Sequence, residues 1–421
     1  MTAADVDAGR PGPGVGASGR AGAGPGGESA GIFEDLAGQE TVVEQLRKAA
    51  DAAAQVLAGH ARTAGGMTHA WLFTGPPGSG RSVAARSFAA ALLCPDGGCG
   101  HCAACRQVRA GSHADLMVVR PDGLSYGVKQ TRDLVLKAAG APSGGRWRVV
   151  LFEDADRCTE QAANALLKAI EEPAPRTVWL LCAPSAEDLV TTIRSRCRVV
   201  VLRVPSSEAV AGVLTARDGI DPAVALAAAR AAQGHIGRAR RLATDPDARK
   251  RREEVLAVPM RARSLGPALA AAAALVRTAE DEAKAVTGEL DEPEKDALRQ
   301  AFGEGSTGKG VAKAVRGAAG ALRELEDRQK SRATRLKRDS LDRALLDLAG
   351  FYRDVLMIQA GAGVELANAD HEGDLHELAS SSAPEATLRR IEAIMLCRER
   401  LAASVAPLLA VEEMTISLMT G

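Results

Sequence analysis

A short apolar run, Trp71-Leu-Phe-Thr74, passes into Gly75-Pro-Pro-Gly78-Ser-Gly80-Arg81-Ser82 and then into an alanine-rich stretch with helical character. Directly after it stands Cys94-Pro-Asp-Gly-Gly-Cys99-Gly-His-Cys102-Ala-Ala-Cys105. A strand, a glycine loop and a helix start in that order make a phosphate-binding geometry, because glycines let successive backbone N–H groups turn inward. The spacing C-x4-C-x2-C-x2-C lets four thiolates converge on one tetrahedral ion. The two elements side by side confine the chain to an α/β domain carrying a small metal module.

The remainder of the first half fits that frame. Strand-like runs at Ala70–Thr74, Leu116–Arg120, Trp147–Phe152, Val178–Cys182 and Val199–Val204 alternate with helical runs near 40–58, 81–93, 128–139, 160–171 and 186–193. Strands separated by helices imply a parallel sheet covered on both faces. Residues 206–250 read as all-helical, with Ser206 and Asp221-Pro as start signals. The 251–322 stretch is rich in alanine and charge, and is expected to form long helices broken by a flexible loop at Gly303–Gly310. From 323 to 421 the pattern is helical again, with apolar faces in Leu341–Ile358 and Leu388–Leu409.

Composition excludes several functions. The 53 basic and 53 acidic side chains balance, which argues against nucleic-acid binding through bulk charge. Aromatic residues make up 3% of the chain, too few for stacking platforms on single strands. Residues 1–30 are dominated by Gly, Ala and Pro and are read as a disordered tail with no signal-peptide pattern. No run of apolar residues is long enough to span a membrane, and eight cysteines without a secretion signal point to the reducing cytoplasm.

Each motif departs from its ideal in a telling way. The phosphate loop G-x-x-x-x-G-K-[ST] is met at Gly75, Gly80 and Ser82, but Arg81 replaces the lysine. A guanidinium is planar and bulkier than an ammonium and is not interchangeable with it in the same pocket. The acidic partner is Val149-Val-Leu-Phe-Glu153-Asp154, where a working ATPase has Asp then Glu, one for Mg²⁺ and one for the attacking water. ATP and Mg²⁺ binding through Gly75, Gly78, Gly80, Arg81, Ser82, Glu153 and Asp154 is left open against a ligand-free turn, and hydrolysis is expected to be poor. Cys94, Cys99, Cys102 and Cys105 are expected to hold one structural Zn²⁺, with disulfides as the rival; Cys158, Cys182, Cys197 and Cys397 read as buried packing. Arg328, Lys330, Arg332, Arg335, Lys337 and Arg338 make a basic helical face, solvated or directed at DNA, that Glu324, Glu326 and Asp327 dilute.

Phe33-Glu-Asp-Leu-Ala-Gly-Gln39, His69-Ala-Trp-Leu-Phe-Thr-Gly75, the cysteine cluster, Asn164-Ala-Leu-Leu-Lys-Ala-Ile-Glu-Glu-Pro173 and Ile193-Arg-Ser-Arg-Cys197 together resemble the clamp-loader subunits of bacterial DNA polymerase III, in the AAA+ superfamily. The resemblance covers about residues 31–245. It implies a RecA-like AAA+ domain (31–205) with a zinc module inserted at 94–105, a helical lid (206–250), the 251–322 insertion or linker, and an all-α collar (323–421). The family's motor subunits keep the lysine, the Asp-Glu pair and a Gly-x-x-Arg sensor. Here the sensor stretch is Gly234-His-Ile-Gly237-Arg238, and Ala183-Pro184 stands at the polar sensor after the fourth strand. These departures point to the non-motor delta-prime type, a stator whose Ser-Arg-Cys motif gives Arg196 to a neighbour's ATP as an arginine finger. The implied partners are the motor gamma/tau and delta subunits in a ring, with the sliding clamp and primed DNA reached through the complex. A self-sufficient ATPase of the motor type, or a zinc-bearing DNA-binding module with a decayed loop, are the alternatives. No polymerase carboxylate pair is identifiable.

Overall fold

The computed structural model describes residues 31–60, 66–121, 123, 125–301 and 311–420. The expected tail at 1–30 and the expected loop at Gly303–Gly310 lie outside the described residues. Five strands, β1 (Ala70–Thr74), β2 (Leu116–Val119), β3 (Arg148–Phe152), β4 (Thr177–Ala183) and β5 (Arg198–Val201), form one parallel sheet in the order β2-β3-β4-β1-β5. Helices α1 (Glu40–Leu57), α2 (Arg81–Leu93), α3 (Ala103–Ala110), α4 (Val128–Ala138), α5 (Glu160–Glu171) and α6 (Thr191–Arg194) are threaded between them.

The central strands are continuous apolar runs because both sheet faces are covered. Side chains alternate along β1. Trp71 and Phe73 enter a core with Phe88 of α2 and Leu46 of α1, while Leu72 faces Val150, Leu181 and Leu166 of α5 on the other side. Trp71 and Phe88 meet edge-on at 4.9 Å between centroids, a preferred aromatic geometry. One expected helix is corrected. Residues 186–190 form a turn, and only Thr191–Arg194 is helical. The Asp188 carboxylate accepts the Ser185 backbone N–H at 2.9 Å, a local bond that competes with helix formation. The helix α3, inside and after the cysteine cluster, had no counterpart among the expected elements.

Beyond the sheet the chain is helical: α7 (Ser207–Asp218), α8 (Pro222–Ala231), α9 (Ile236–Thr244), α10 (Pro246–Leu256), α11 (Val258–Arg261), α12 (Leu265–Ala301), α13 (Val311–Gln359), α14 (Glu372–Ser381), α15 (Pro384–Ala402) and α16 (Pro407–Thr420). Ser206 and Asp221 cap α7 and α8 by accepting backbone N–H groups, as their residue types suggest. Val210, Leu214, Ala225, Ala229 and Ala239 make a small core among α7, α8 and α9. A larger core joins Ala268, Ala272 and Leu275 of α12 to Leu341, Leu345, Leu348 and Phe351 of α13, and to Ile394 of α15 and Met414 of α16. It crosses the expected division at 322/323, which α13 traverses as one helix. Among the described residues no helix is long and apolar enough to cross a membrane.

Ion pairs in the helical region tie its parts together. Arg332 of α13 reaches Asp291 and Glu294 of α12 (2.5 and 2.7 Å), and Lys337 reaches Glu280 at 2.5 Å. Half of the basic stripe read from the sequence therefore faces acidic residues of α12 or the protein's own backbone: Arg335 donates to the Pro121 carbonyl at 2.9 Å. Glu282 of α12 accepts from Arg241 (2.7 Å), Arg343 (2.9 Å) and Ser340 (2.5 Å). Burial opposes its ionisation, but these three donors hold the carboxyl down to about 2.

Because that folded pKa lies below the unfolded value, Glu282 stabilises the fold above the ordinary carboxylate range, and its contribution is lost as pH falls from about 4.5 toward 2. Discounted for solvent screening, the contribution near neutrality is roughly 1–2 kcal/mol. Urea midpoints measured from pH 7 to pH 3 should decline less steeply for Glu282→Gln than for the unaltered protein, from a lower starting stability.

Candidate nucleotide site and metal centre

The loop Gly75–Ser82 leaves the C-terminal end of β1 and enters α2, as its sequence requires. Its first residue is anchored by the Gly75 N–H to the Pro184 carbonyl at 3.0 Å, so the position after β4 holds the loop through backbone alone. Arg81 does not point outward toward a ligand. Its Nη1 donates back to the Gly75 carbonyl at 2.6 Å, which turns the guanidinium into an internal brace of the loop. Gly78 has φ +91°, and a Cβ there would sit 3.0 Å from the His235 Cβ. The start of α9 therefore lies directly against the loop.

Glu153, at the end of β3, is the residue that decides what the site can do. It is 8% exposed. Arg120 binds it in bidentate fashion (Nε–Oε2 2.6 Å, Nη2–Oε1 3.3 Å), and Arg86 of α2 reaches Oε1 at 3.1 Å. Its hydrogen bonds to Glu153 raise the Arg120 pKa further. A carboxylate at this post serves a working ATPase by receiving Mg²⁺. Here two guanidiniums already neutralise it. Asp154, the next residue, sits in the left-handed region (φ 51°) and starts a turn toward Ala155–Arg157. Ser82 lies beside the buried Cys182 thiol, whose pKa burial pushes up.

The charges at the start of α9 are also turned inward. Arg238 pairs with Asp347 of α13. His235 caps α9, its Nδ1 accepting the Arg238 N–H at 3.3 Å; loss of solvent and the nearby Arg238 lower its pKa, which keeps that nitrogen unprotonated. The structure thus brings Gly75, Gly78, Gly80, Arg81, Ser82, Glu153 and Asp154 to one end of the sheet, with Glu153 neutralised by Arg86 and Arg120 and Arg81 bonded to the loop's own backbone. Sequence reading missed Arg86, Arg120 and His235. Arg120 was discoverable in principle: Val119 pairs with Phe152, so the next residue of each strand falls level with the other.

Arg196 lies elsewhere. It precedes β5, on the N-terminal edge of the sheet, whereas the phosphate loop leaves the C-terminal edge. Strands of four to five residues at about 3.3 Å per residue put roughly 15 Å between those edges. Its guanidinium, 40% exposed, reaches Glu171 at 2.6 Å and the Thr192 carbonyl at 2.7 Å. Its neighbours have other work: Arg198 donates to the Gly66 carbonyl at 2.7 Å and lies over the Trp71 ring at 5.1 Å.

The four cysteines converge between α2 and α3. Their sulfurs all lie within 4.8 Å of one another, and Cys94 is 3.7 Å from Cys99 and 3.6 Å from Cys102. Zn–S bonds of about 2.3 Å in a tetrahedron need sulfur separations of about 3.8 Å. No disulfide joins them, since all four are free thiols. Backbone N–H groups of Asp96, Cys102 and Cys105 point at Cys94, Cys99 and Cys102 sulfurs (3.3–3.4 Å). The His101 backbone N–H, against a smaller cost of burial, brings Cys99 to about 6, while burial pushes Cys105 up. A thiolate at Cys105 thus needs a counter-charge, and the cluster could hold a cation such as zinc. The module also supports the nucleotide side: the Ile32 N–H bonds the Gly98 carbonyl at 2.9 Å, and a Cβ on Gly98 (φ +105°) would strike Ile32 at 2.7 Å.

Comparison with known proteins points to DNA polymerase III subunits. The family described as "DNA polymerase III, delta subunit" matches residues 50–206. The DNA polymerase III subunit delta' of Pseudomonas aeruginosa is 43% identical over 136 residues, 31% of this chain and 41% of that protein. That of Haemophilus influenzae is 41% identical over 145 residues, 33% and 44% of the two chains. Over that part the chain is similar to delta-prime subunits of DNA polymerase III. It also resembles DNA polymerase III subunit tau of Bacillus subtilis, at 33% identity over 185 residues, 43% of this chain and 30% of that one. The matched part spans less than half the length of each of these relatives. Among solved structures, RuvB of Thermotoga maritima covers 54% of this chain and 65% of its own at 17% identity with a TM-score of 0.36, too low to bear on the fold.

Glu153→Gln is expected to leave ATP turnover by the isolated chain negligible, as before, and to lower stability by about 1–3 kcal/mol, because Arg86 and Arg120 lose a buried charged acceptor. A stable variant, or a wild-type turnover that this substitution abolishes, would contradict the internal pairing. Metal analysis is expected to give about one zinc per chain, with four thiols unreactive until chelator is added. Cys105→Ala should lose the metal and free the 31–36 segment, read as faster amide exchange at Ile32.

Proposed function

We propose that the protein is a non-motor, delta-prime-type subunit of a DNA polymerase III clamp loader, which helps place a ring-shaped sliding clamp on primed DNA. In this reading residues 31–205 are an AAA+ domain with a structural zinc module at 94–105, residues 206–250 a lid, and the helices from 323 onward a collar, with 251–322 packed alongside. The neighbours in the ring are motor gamma/tau and delta subunits.

The observation that carries this reading is a shut phosphate loop combined with an arginine on the opposite edge of the same sheet. Arg196 cannot reach its own loop across roughly 15 Å of sheet. In a ring, the opposite edge is where a neighbouring subunit's nucleotide would be met, and a guanidinium there offsets charge on the transferring phosphoryl group. Its ties to Glu171 and Thr192 keep the side chain oriented at half exposure. Exposed Leu388, Met395 and Leu396 of α15, with Leu408 and Leu409 of α16, supply an apolar face suited to helices of adjacent subunits.

Arg196→Ala should give a folded, metal-loaded subunit that still joins the loader, while ATPase of the assembled complex falls at least tenfold. Arg196→Lys should recover only part, since a point charge lacks the planar fork. Arg194→Ala, which breaks a 3.7 Å contact with Glu187, is the control for lost surface charge. Arg198→Ala is not a neutral control, because that side chain packs on Trp71. Equal losses for Arg194→Ala and Arg196→Ala would remove the finger from the mechanism.

A further inference from the structure

A cavity of about 760 Å³ opens among α9, α10, α12 and α13. That volume is in the range of small-ligand sites, which gather at junctions between packed bodies. Six guanidiniums line it: Arg238 and Arg241 of α9, Arg251 and Arg252 of α10, Arg261 of α11 and Arg343 of α13, beside the carboxylates of Glu254, Glu282 and Asp347. Two well-buried carboxylates are each shared between two of them. Asp347, 7% exposed, takes Arg238 and Arg252, and Glu282, 13% exposed, takes Arg241 and Arg343. Asp245, outside the lining, takes Arg241 and Arg251 at 3.4 and 3.3 Å. Six lining guanidiniums therefore face four carboxylates, Asp245 included, which leaves a surplus of positive charge at the cavity.

Like charges in a partly dry space repel more strongly than in bulk water, and an anion relieves them. Guanidiniums suit phosphate in particular, through paired parallel N–H donors. The far wall differs in character: Val255, Val258, Ala270, Ala271 and Leu275 are apolar. We propose that this cavity binds a small phosphorylated organic anion of nucleotide size, its phosphates among the arginines and its apolar portion on the α12 wall. The site is separate from the loop at Gly75–Ser82, since it uses side chains rather than backbone N–H groups. His235 lines one end of it and lies against Gly78, so an occupant would also brace the segment that covers the loop.

Titration calorimetry of the full chain with ATP tests the assignment, run in EDTA so that no Mg²⁺-dependent loop site contributes. Binding of one ATP per chain is expected, retained in Ser82→Ala and weakened at least tenfold by Arg251→Gln and by Ala274→Trp. Ala274 is an exposed residue of the lining, so a large side chain there fills the cavity without entering the core. An unchanged melting temperature without ligand checks that each variant is folded. Tripolyphosphate should bind more weakly than ATP, and adenosine hardly at all. No ATP binding at millimolar concentration, or binding removed by Ser82→Ala and untouched by Ala274→Trp and Arg251→Gln, would overturn the proposal. Equal affinity for tripolyphosphate and ATP would overturn the role of the apolar wall.

Discussion

Glu153 sits at the C-terminal end of a buried central strand, where an unpaired carboxylate would be expensive. How that charge is neutralised determines the character of the whole site. A nucleotide-hydrolysing relative would leave the post free for Mg²⁺. In this protein Arg120 from the adjacent strand end and Arg86 from α2 take it, and both are covalently part of the same chain. The partners are present at no entropic cost of binding, so a metal ion has to displace two guanidiniums before it can serve. Arg81 repeats the same logic on the loop itself, donating to Gly75 instead of to a phosphate.

The same economy recurs in the helical half. Arg238 at the start of α9 is turned to Asp347 of α13, together with Arg252. Asp354, fully buried, accepts the Asn368 backbone and side-chain N–H groups at 2.8 Å, while Asn368 accepts from Arg252. This chain of contacts joins α9, α10, α13 and the segment before α14. Each buried member depends on the others, because removing one leaves a charge without a partner. A subunit built this way holds α9 against its loop by its own side chains. That is consistent with a stationary role in the proposed ring.

Much of the fold was legible. The central strands β1, β3 and β4 were readable because both faces of the sheet are covered there, so each is largely apolar, and the helices α2 and α5 begin and end where their loops and caps dictate. The convergence of the four cysteines was readable because they stand within a dozen residues of chain, at spacings that let their sulfurs meet. The failures share a cause. The helix expected over 186–193 gave way to a turn held by Asp188, a competition that periodicity does not register. The basic stripe of α13 looked like an open face because its acidic partners, Glu280, Asp291 and Glu294, lie some 40 to 60 residues earlier on α12.

By itself, then, the sequence determined the parallel α/β plan, the loop with its arginine in place of lysine, and the cysteine cluster. All of these rest on contacts between residues close along the chain or on patterns of burial repeated within one element. Only the tertiary structure decided where charges end. It closed Glu153 with Arg86 and Arg120, placed Arg196 on the sheet edge away from its own loop, and gathered six arginines around one cavity. The physical reason is that an ion pair depends on distance through space, and strand order and helix packing set those distances between residues far apart in the chain.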